Sequence, residues 1–204
     1  YDASIQRIAA VLNREAPALS EEERTRETGF VLNAVHALRL VDRFDAYVSV
    51  ELHTAFARSV DLTVEYGRRY YALCPERFYV KVPLSPEGFL AARRLGREGI
   101  PVNFTLGFSA RQNYLVACLA QPLFANVFMG RLNAFVADNK LGSGAGIGEK
   151  ATLASQRELI QLRENGASHT KQIGASMRDP EQVAALAGVD IFTIPAKVAR
   201  AYRQ

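Results

Sequence analysis

The chain has no tryptophan, only two cysteines, two methionines and three histidines among 204 residues. Cys74 and Cys118 lie far apart in apolar contexts without metal-ligand spacing. They read as free thiols of a reducing compartment, and a cytoplasmic address is expected. His36, His53 and His169 have no companion thiols and no metal spacing, so neither a metal nor another cofactor is expected. Long hydrophobic runs are also missing. No apolar stretch approaches the roughly 18 residues of a membrane span, and Tyr1-Asp2-Ala3-Ser4 has neither the basic segment nor the apolar core of an export signal. Charge of one sign is not concentrated anywhere. Lys plus Arg number 25 against 21 Asp plus Glu, a formal net charge of +4 spread along the chain, which suits small anionic substrates better than a nucleic-acid groove. Neither nucleic acid nor membrane is expected as a partner, and self-association is left open.

What is present is 49% hydrophobic and 23% charged residues, enough for a buried core. Helical and strand periodicities alternate. Ser20 with Glu23 reads as a capping box opening a helix whose Val31, Ala34, Val35, Leu38 and Val41 recur at helical spacing. Ser85-Pro86 and Asp179-Pro180 each pair an N-cap with a first-turn proline, and Gly99 and Gly188 are the matching stops. Tyr114, Leu115, Cys118 and Leu119 give the helix after Ser109 one apolar face. Six short apolar runs lie between the helices, expected as parallel strands at about 47–51, 78–83, 101–106, 124–128, 172–177 and 190–194.

Period-two counting puts Ser49 and Glu51, Lys81, Asn103 and Thr105, Asn126, and Ser176 on one side of these strands. Each lies near the C-terminal end of its run, where a (β/α)8 barrel carries its chemistry. A doubly wound sheet would instead place its polar groups in loops at a switch point. The fold expected is therefore an α/β TIM barrel, but an incomplete one. A full barrel has eight strands in about 250 residues. Here six runs are found, the chain opens in helical sequence at Ile5 to Leu12, and it stops at Gln204 before the last helix looks finished. Residues 1–204 are expected to be one truncated barrel domain, lacking the first two strands and the end of the last helix.

Lys81 is the most unusual residue. An ammonium within Phe78-Tyr79-Val80-Lys81-Val82-Pro83 would be costly to desolvate. The neutral amine is the form that attacks a carbonyl and makes a Schiff base. A lysine paired with a carboxylate would fit the same position. Glu51 shares its parity and suits either proton transfer through a water or a simple salt bridge. Asn103 and Thr105 present an amide and a hydroxyl on one face, suited to a polyol and a water. Arg131 and Arg178 follow predicted strands, where guanidinium groups can take a phosphate bidentately or serve as solubilising charges. Gly142, Gly144, Gly146 and Gly148 match neither the G-x-G-x-x-G nor the G-x-x-x-x-G-K-[ST] template, so a mobile loop is expected there.

Val80-Lys81-Val82-Pro83, Glu87-Gly88, Glu98-Gly99-Ile100, Asn103-Phe104-Thr105-Leu106, Phe108-Ser109, Phe128-Met129-Gly130-Arg131-Leu132, Gly174-Ala175-Ser176-Met177-Arg178 and Leu186-Ala187-Gly188 occur in this order. With them the sequence resembles the transaldolase family of class I aldolases over nearly its whole length. The resemblance implies that Lys81 is the Schiff-base lysine and that Glu51 and Thr105 hold the catalytic water. It implies that Asn103 binds a substrate hydroxyl, that Asn126 and Phe128 line the substrate site, and that Arg131, Ser176 and Arg178 bind phosphate. The implied reaction passes a dihydroxyacetone unit from fructose 6-phosphate or sedoheptulose 7-phosphate to an aldose phosphate, in the pentose phosphate pathway. The family's first strand carries an aspartate and its second a Thr-Asn-Pro motif, and neither is found here. Many relatives have Ser-Pro where this chain has Asn126-Val127. A fructose 6-phosphate aldolase is the alternative, although that branch tends to have glutamine and tyrosine where Glu51 and Phe128 stand. A non-catalytic sugar-phosphate-binding fragment is a third reading.

Overall fold

Several helix starts in this chain are set by short polar side chains. The Glu23 backbone N–H donates to Ser20 Oγ at 3.3 Å, and the Ser20 backbone N–H donates to the Glu23 carboxylate at 2.9 Å. Two orphan donors are thereby satisfied at one helix start. Ser85 accepts from the Gly88 N–H at 3.0 Å and Asp179 from the Gln182 N–H at 3.0 Å, each with a proline in the first turn. Gly99 and Gly188 follow the helices they stop with φ of 77° and 98°, left-handed values that glycine adopts without a Cβ penalty.

The computed structural model describes residues 2–203. In chain order the elements are α1 (Asp2–Glu15), α2 (Glu21–Phe44), β1 (Val48–Glu51), a 3-10 turn (Thr54–Arg58), α3 (Val60–Leu73), β2 (Phe78–Pro83), α4 (Pro86–Arg97) and β3 (Val102–Thr105). They continue with α5 (Ala110–Leu119), β4 (Phe124–Phe128), α6 (Met129–Asp138), α7 (Ile147–Glu164), β5 (Lys171–Ala175), α8 (Pro180–Ala185), β6 (Ile191–Phe192) and α9 (Ala196–Tyr202). The strands form one six-stranded sheet in sequential order β1-β2-β3-β4-β5-β6, with every neighbouring pair parallel. This curled half-barrel is what an incomplete (β/α)8 barrel predicts. β6 is shorter than expected, two residues against a run of about five.

The two faces of the sheet differ. Val80, Val82, Val102, Phe104 and Ala125 pack under Ala91, Ala92 and Leu95 of α4, Val116 and Ala117 of α5, and Leu159 of α7, all buried. Burying each of the larger side chains contributes about 1.5–3 kcal/mol. The opposite face alternates with this core. β2 shows it residue by residue, with Phe78, Val80 and Val82 buried and Tyr79, Lys81 and Pro83 partly open.

Two helix faces run against expectation. On α5 the buried residues are Asn113, Val116 and Ala117, whereas Tyr114, Leu115 and Leu119 are 44%, 53% and 49% exposed. Spacing defines an apolar stripe but not its direction, and here the sheet-facing side is taken by small residues and an amide. On α2 the inward stripe is Phe30, Ala34, Ala37 and Val41, while Val35 and Leu38 face out. Glu27 of that helix makes a bidentate contact with Arg69 of α3, at 2.7 and 2.6 Å, and accepts from the Tyr66 hydroxyl. The Arg69 guanidinium lies 4.2 Å from the Phe30 ring centroid and 4.5 Å from that of Tyr66. The guanidinium is thus held by charge, hydrogen bonds and two ring faces together.

Candidate active site

The inner face of the sheet is layered along the strands. Near the N-terminal end, Tyr47 stacks on Tyr79 with centroids 5.1 Å apart, and Tyr79 meets Phe124 edge-on at 5.3 Å. Two residues further along lie Ser49, Lys81 and Asn126. The register places Lys81 between Glu51 of β1 and Asn103 of β3. The Lys81 ammonium pairs with the Glu51 carboxylate, the lysine side chain being 22% exposed and that of Glu51 66%. Asn126 Nδ2 donates to Asn103 Oδ1 at 3.4 Å, and Asn103 Nδ2 donates to Ser49 Oγ at 2.9 Å. Asn126 Oδ1 is buried without a partner, leaving an acceptor that faces no protein donor. Thr105, at the end of β3, is partly open. Phe128, which closes β4, meets Phe108 edge-on at 6.2 Å.

Period-two counting does not hold for Ser176. β5 ends at Ala175, Asn126 pairs with Ile173, and Ser176 has φ of 65°. A left-handed residue breaks the alternation, so its direction is set by the turn and not by the strand. That turn packs against the start of α6. A Cβ on Gly130 would lie 2.0 Å from the Ser176 carbonyl oxygen, 2.9 Å from Arg178 Cγ and 3.0 Å from Arg178 Nε. The segments carrying Arg131 and Arg178 therefore meet at the C-terminal rim, and both arginines are exposed. The first turn of α6 has no side-chain cap, so its N–H groups and its dipole favour an anion at the same place.

Sequence reasoning missed the residues behind this face. Asn33 of α2 donates to the Glu51 carbonyl oxygen at 2.8 Å and lies 3.1 Å from the Tyr70 hydroxyl, fixing the end of β1. Burial pushes the Tyr70 hydroxyl pKa up, so it stays a neutral partner. On the helix side Gln172 and Ser155 join Asn113, whose Nδ2 lies 2.8 Å from Ser155 Oγ and 3.4 Å from the Asn126 carbonyl oxygen. No local sequence signal marks these partners. Among the described residues no group of three or more His, Cys, Asp or Glu converges as a metal site. The chemistry the arrangement offers is that of an amine beside a carboxylate, flanked by amides and hydroxyls and bordered by two arginines. No helix among the described residues is long and apolar enough to cross a membrane.

Comparison with known proteins shows the family of the chain. A probable transaldolase of Desulfatibacillum aliphaticivorans is 35% identical over 153 residues, 74% of this chain and 63% of that protein. One from a strain of Thermus thermophilus is 33% identical over 190 residues, covering 92% and 73%. One from Dictyostelium discoideum is 31% identical over 186 residues, covering 86% and 56%. The chain thus spans roughly two thirds of the length of such relatives. Residues 2–204 match the family described as transaldolase/fructose-6-phosphate aldolase, and the chain belongs to that family.

Proposed function

We propose that the chain carries the catalytic lysine and the phosphate-binding residues of a transaldolase, with Lys81 as the Schiff-base residue. The observation that supports this most is the Lys81–Glu51 pair on the inner face, beside Asn103 and Asn126. Glu51 takes a proton from the Lys81 ammonium, directly or through a water that Thr105 helps to hold, and frees the amine. The amine attacks C2 of a ketose phosphate, the carbonyl oxygen takes a proton, and loss of water assisted by the Glu51 carboxylic acid leaves an iminium. The C3–C4 bond then breaks. Its electron pair moves into the iminium to give an enamine, while the C4 hydroxyl passes its proton to the Glu51 carboxylate, directly or through the water, and C4 departs as the aldehyde of an aldose phosphate. The enamine carbon attacks the aldehyde of a second aldose phosphate, and water releases the new ketose and restores Lys81.

Asn103 and Asn126 orient the hydroxyls of the three-carbon unit, with Phe128 beside them, and Arg131, Ser176 and Arg178 hold the phosphate. Fructose 6-phosphate or sedoheptulose 7-phosphate is the donor, as in the pentose phosphate pathway, and the relatives' name, probable transaldolase, is in keeping with this. Cys74 and Cys118 are unpaired, which suits a reducing cytoplasm.

Borohydride reduction of the full gene product with fructose 6-phosphate should add a dihydroxyacetone-sized mass at Lys81, and Lys81→Ala should abolish it. An adduct that survives in the variant or maps to Lys140 or Lys150 refutes the assignment. Turnover that needs no aldose acceptor would identify a fructose 6-phosphate aldolase instead, and the absence of any lysine adduct a non-catalytic binding protein.

A further inference from the structure

Gly142, Gly144 and Gly146 between α6 and α7, and Gly148 in the first turn of α7, fit no phosphate-loop template, yet two of the four are held by contact. A Cβ on Gly144 would lie 2.2 Å from the Asn133 carbonyl oxygen, and one on Gly148 would lie 2.3 Å from the Met129 carbonyl oxygen. Both contacts are to the backbone of α6, so the connection folds back along α6 and α7 starts directly against it. This close approach lets the Gly148 N–H donate to Asn133 Oδ1 at 2.6 Å. It also sets the next residue, Glu149, between two segments that are distant from it in sequence. Asn133 Nδ2 donates to the two oxygens of Glu149 at 3.2 and 3.0 Å, and Gln182 Nε2 donates to Glu149 Oε1 at 2.6 Å. Gln182, buried on α8, accepts the Arg178 backbone N–H on its Oε1 at 2.7 Å.

These bonds form one directed path. It runs from the Arg178 backbone through the Gln182 amide to the Glu149 carboxylate, and from there through Asn133 to the helix that carries Arg131. The carboxylate is the only member that accepts from both sides, and it sits in the first turn of α7, where negative charge is favoured. We propose that Glu149 is a positioning residue. It holds the turn bearing Arg178 and the helix bearing Arg131 at a fixed separation, so that both guanidinium groups meet one phosphate. The glycine-rich connection serves this by letting α7 reach α6 closely enough for the bonds to form. This rests on the reading of Arg131 and Arg178 as phosphate ligands. The apolar cluster beneath, Met129, Met177, Val183, Leu186, Val189 and Val198, does not depend on Glu149 for its contacts.

The direction of the bonds supplies the test. In Glu149→Gln the oxygen that takes Gln182 is kept, with its longer contact to Asn133, but the new amide N–H replaces Oε2 and meets the Asn133 N–H donor against donor; in Asn133→Asp two carboxylates oppose each other. In the double variant the new amide at position 149 can accept from Gln182 and donate to the new carboxylate at position 133, which still accepts from the Gly148 N–H. The half-saturating concentration for borohydride-trapped adduct at Lys81 is measured in the full gene product, with fructose 6-phosphate and with dihydroxyacetone, alongside melting temperature. Each single variant should raise the fructose 6-phosphate value about tenfold, a modest share of the ~100-fold that a 1 Å misplacement can cost. The dihydroxyacetone value should stay within about twofold, and the double variant should recover most of the loss. Equal losses for both compounds, no loss, or a double variant no better than the worse single one would overturn the proposal. Should Glu149→Gln fail to fold, Asn133→Asp, which keeps Glu149, carries the same expectation. Arg131→Ala and Arg178→Ala separate the two levels. If they show no phosphate-selective loss, the phosphate reading falls and the role of Glu149 with it. If they do and the Glu149 and Asn133 variants do not, only the positioning role falls.

Discussion

Gly130→Ala is the smallest change that should disturb the rim of the candidate site. The added methyl would sit 2.0 Å from the Ser176 carbonyl oxygen and within 3.0 Å of two Arg178 side-chain atoms. Ordinary carbon–oxygen contact begins at about 3.3 Å, so the start of α6 and the Ser176 turn must separate by roughly 1 Å. Ser176 cannot swing its carbonyl away freely, because its backbone is already left-handed at φ 65°. Overpacking of this kind costs about 1–3 kcal/mol. At about 2–4 °C per kcal/mol for a chain of this size, the melting temperature should fall by about 2–12 °C. The same shift separates Arg131 from Arg178, so the apparent KM for fructose 6-phosphate should rise by about tenfold or more. Gly96→Ala is the control. Its Cβ would meet only the Ala120 carbonyl oxygen at 3.5 Å, inside α4, and helix propensity predicts a gain of about 0.5–1 kcal/mol. Differential scanning fluorimetry and steady-state kinetics on the full gene product decide the matter. A Gly130→Ala protein that melts and binds phosphorylated sugar like the parent would show that the two segments are not in contact as described.

Glu51→Gln should lower turnover about 10²- to 10⁴-fold, the usual contribution of a positioned acid or base, as read in a coupled assay of aldose phosphate release. Gln172→Leu should cost about 1–3 kcal/mol in chemical denaturation, because the buried Ser155 hydroxyl loses Gln172 Oε1 as its acceptor. Glu27→Ala should cost about 2 kcal/mol by the same measurement, for the charge-assisted bonds to Arg69 and the Tyr66 hydroxyl. The Arg69 guanidinium holds the Glu27 carboxyl below its ordinary value of 4.5. That contribution is therefore complete above pH 4.5 and is lost as pH falls through the lowered value. Burial, then the bond to Glu27, pushes Tyr66 from 10.0 up to about 12, so its contribution is complete below pH 10 and is lost as pH rises through about 12. Melting curves across pH should show both edges in the parent; Glu27→Ala should lose the acid edge and keep a smaller alkaline one, because burial of Tyr66 remains.

The sheet was legible because its strands are short apolar runs between helices, and the side chains within each run point alternately to its two faces. Val80 and Val82 are buried under α4 while Lys81 between them is not, and counting by two finds that difference without coordinates. The caps at Ser20, Ser85 and Asp179 were legible for a similar reason, since each acts within three residues of itself. The outward turn of Tyr114, Leu115 and Leu119 was not. Helical spacing reports that a stripe exists, but which stripe faces the sheet is decided by neighbours such as Gln172, which lies 59 residues from Asn113.

The same boundary divides the candidate site. Glu51, Lys81, Asn103 and Asn126 lie inside regular strands, so period and register together put them on one face. Ser176 lies one residue past such a strand, and a single left-handed φ cancels the count. Arg131 and Arg178 depend on that turn and on Gly130, whose missing Cβ is a condition of their approach. Glu149 is further still from any local rule. It is an ordinary first-turn glutamate in sequence, and it becomes a junction only because Gly144 and Gly148 let α7 lie against α6. Chemistry carried by strand residues can thus be read by counting. The geometry that would hold a phosphate is written in close approaches between loops, where glycine spacing is the visible trace.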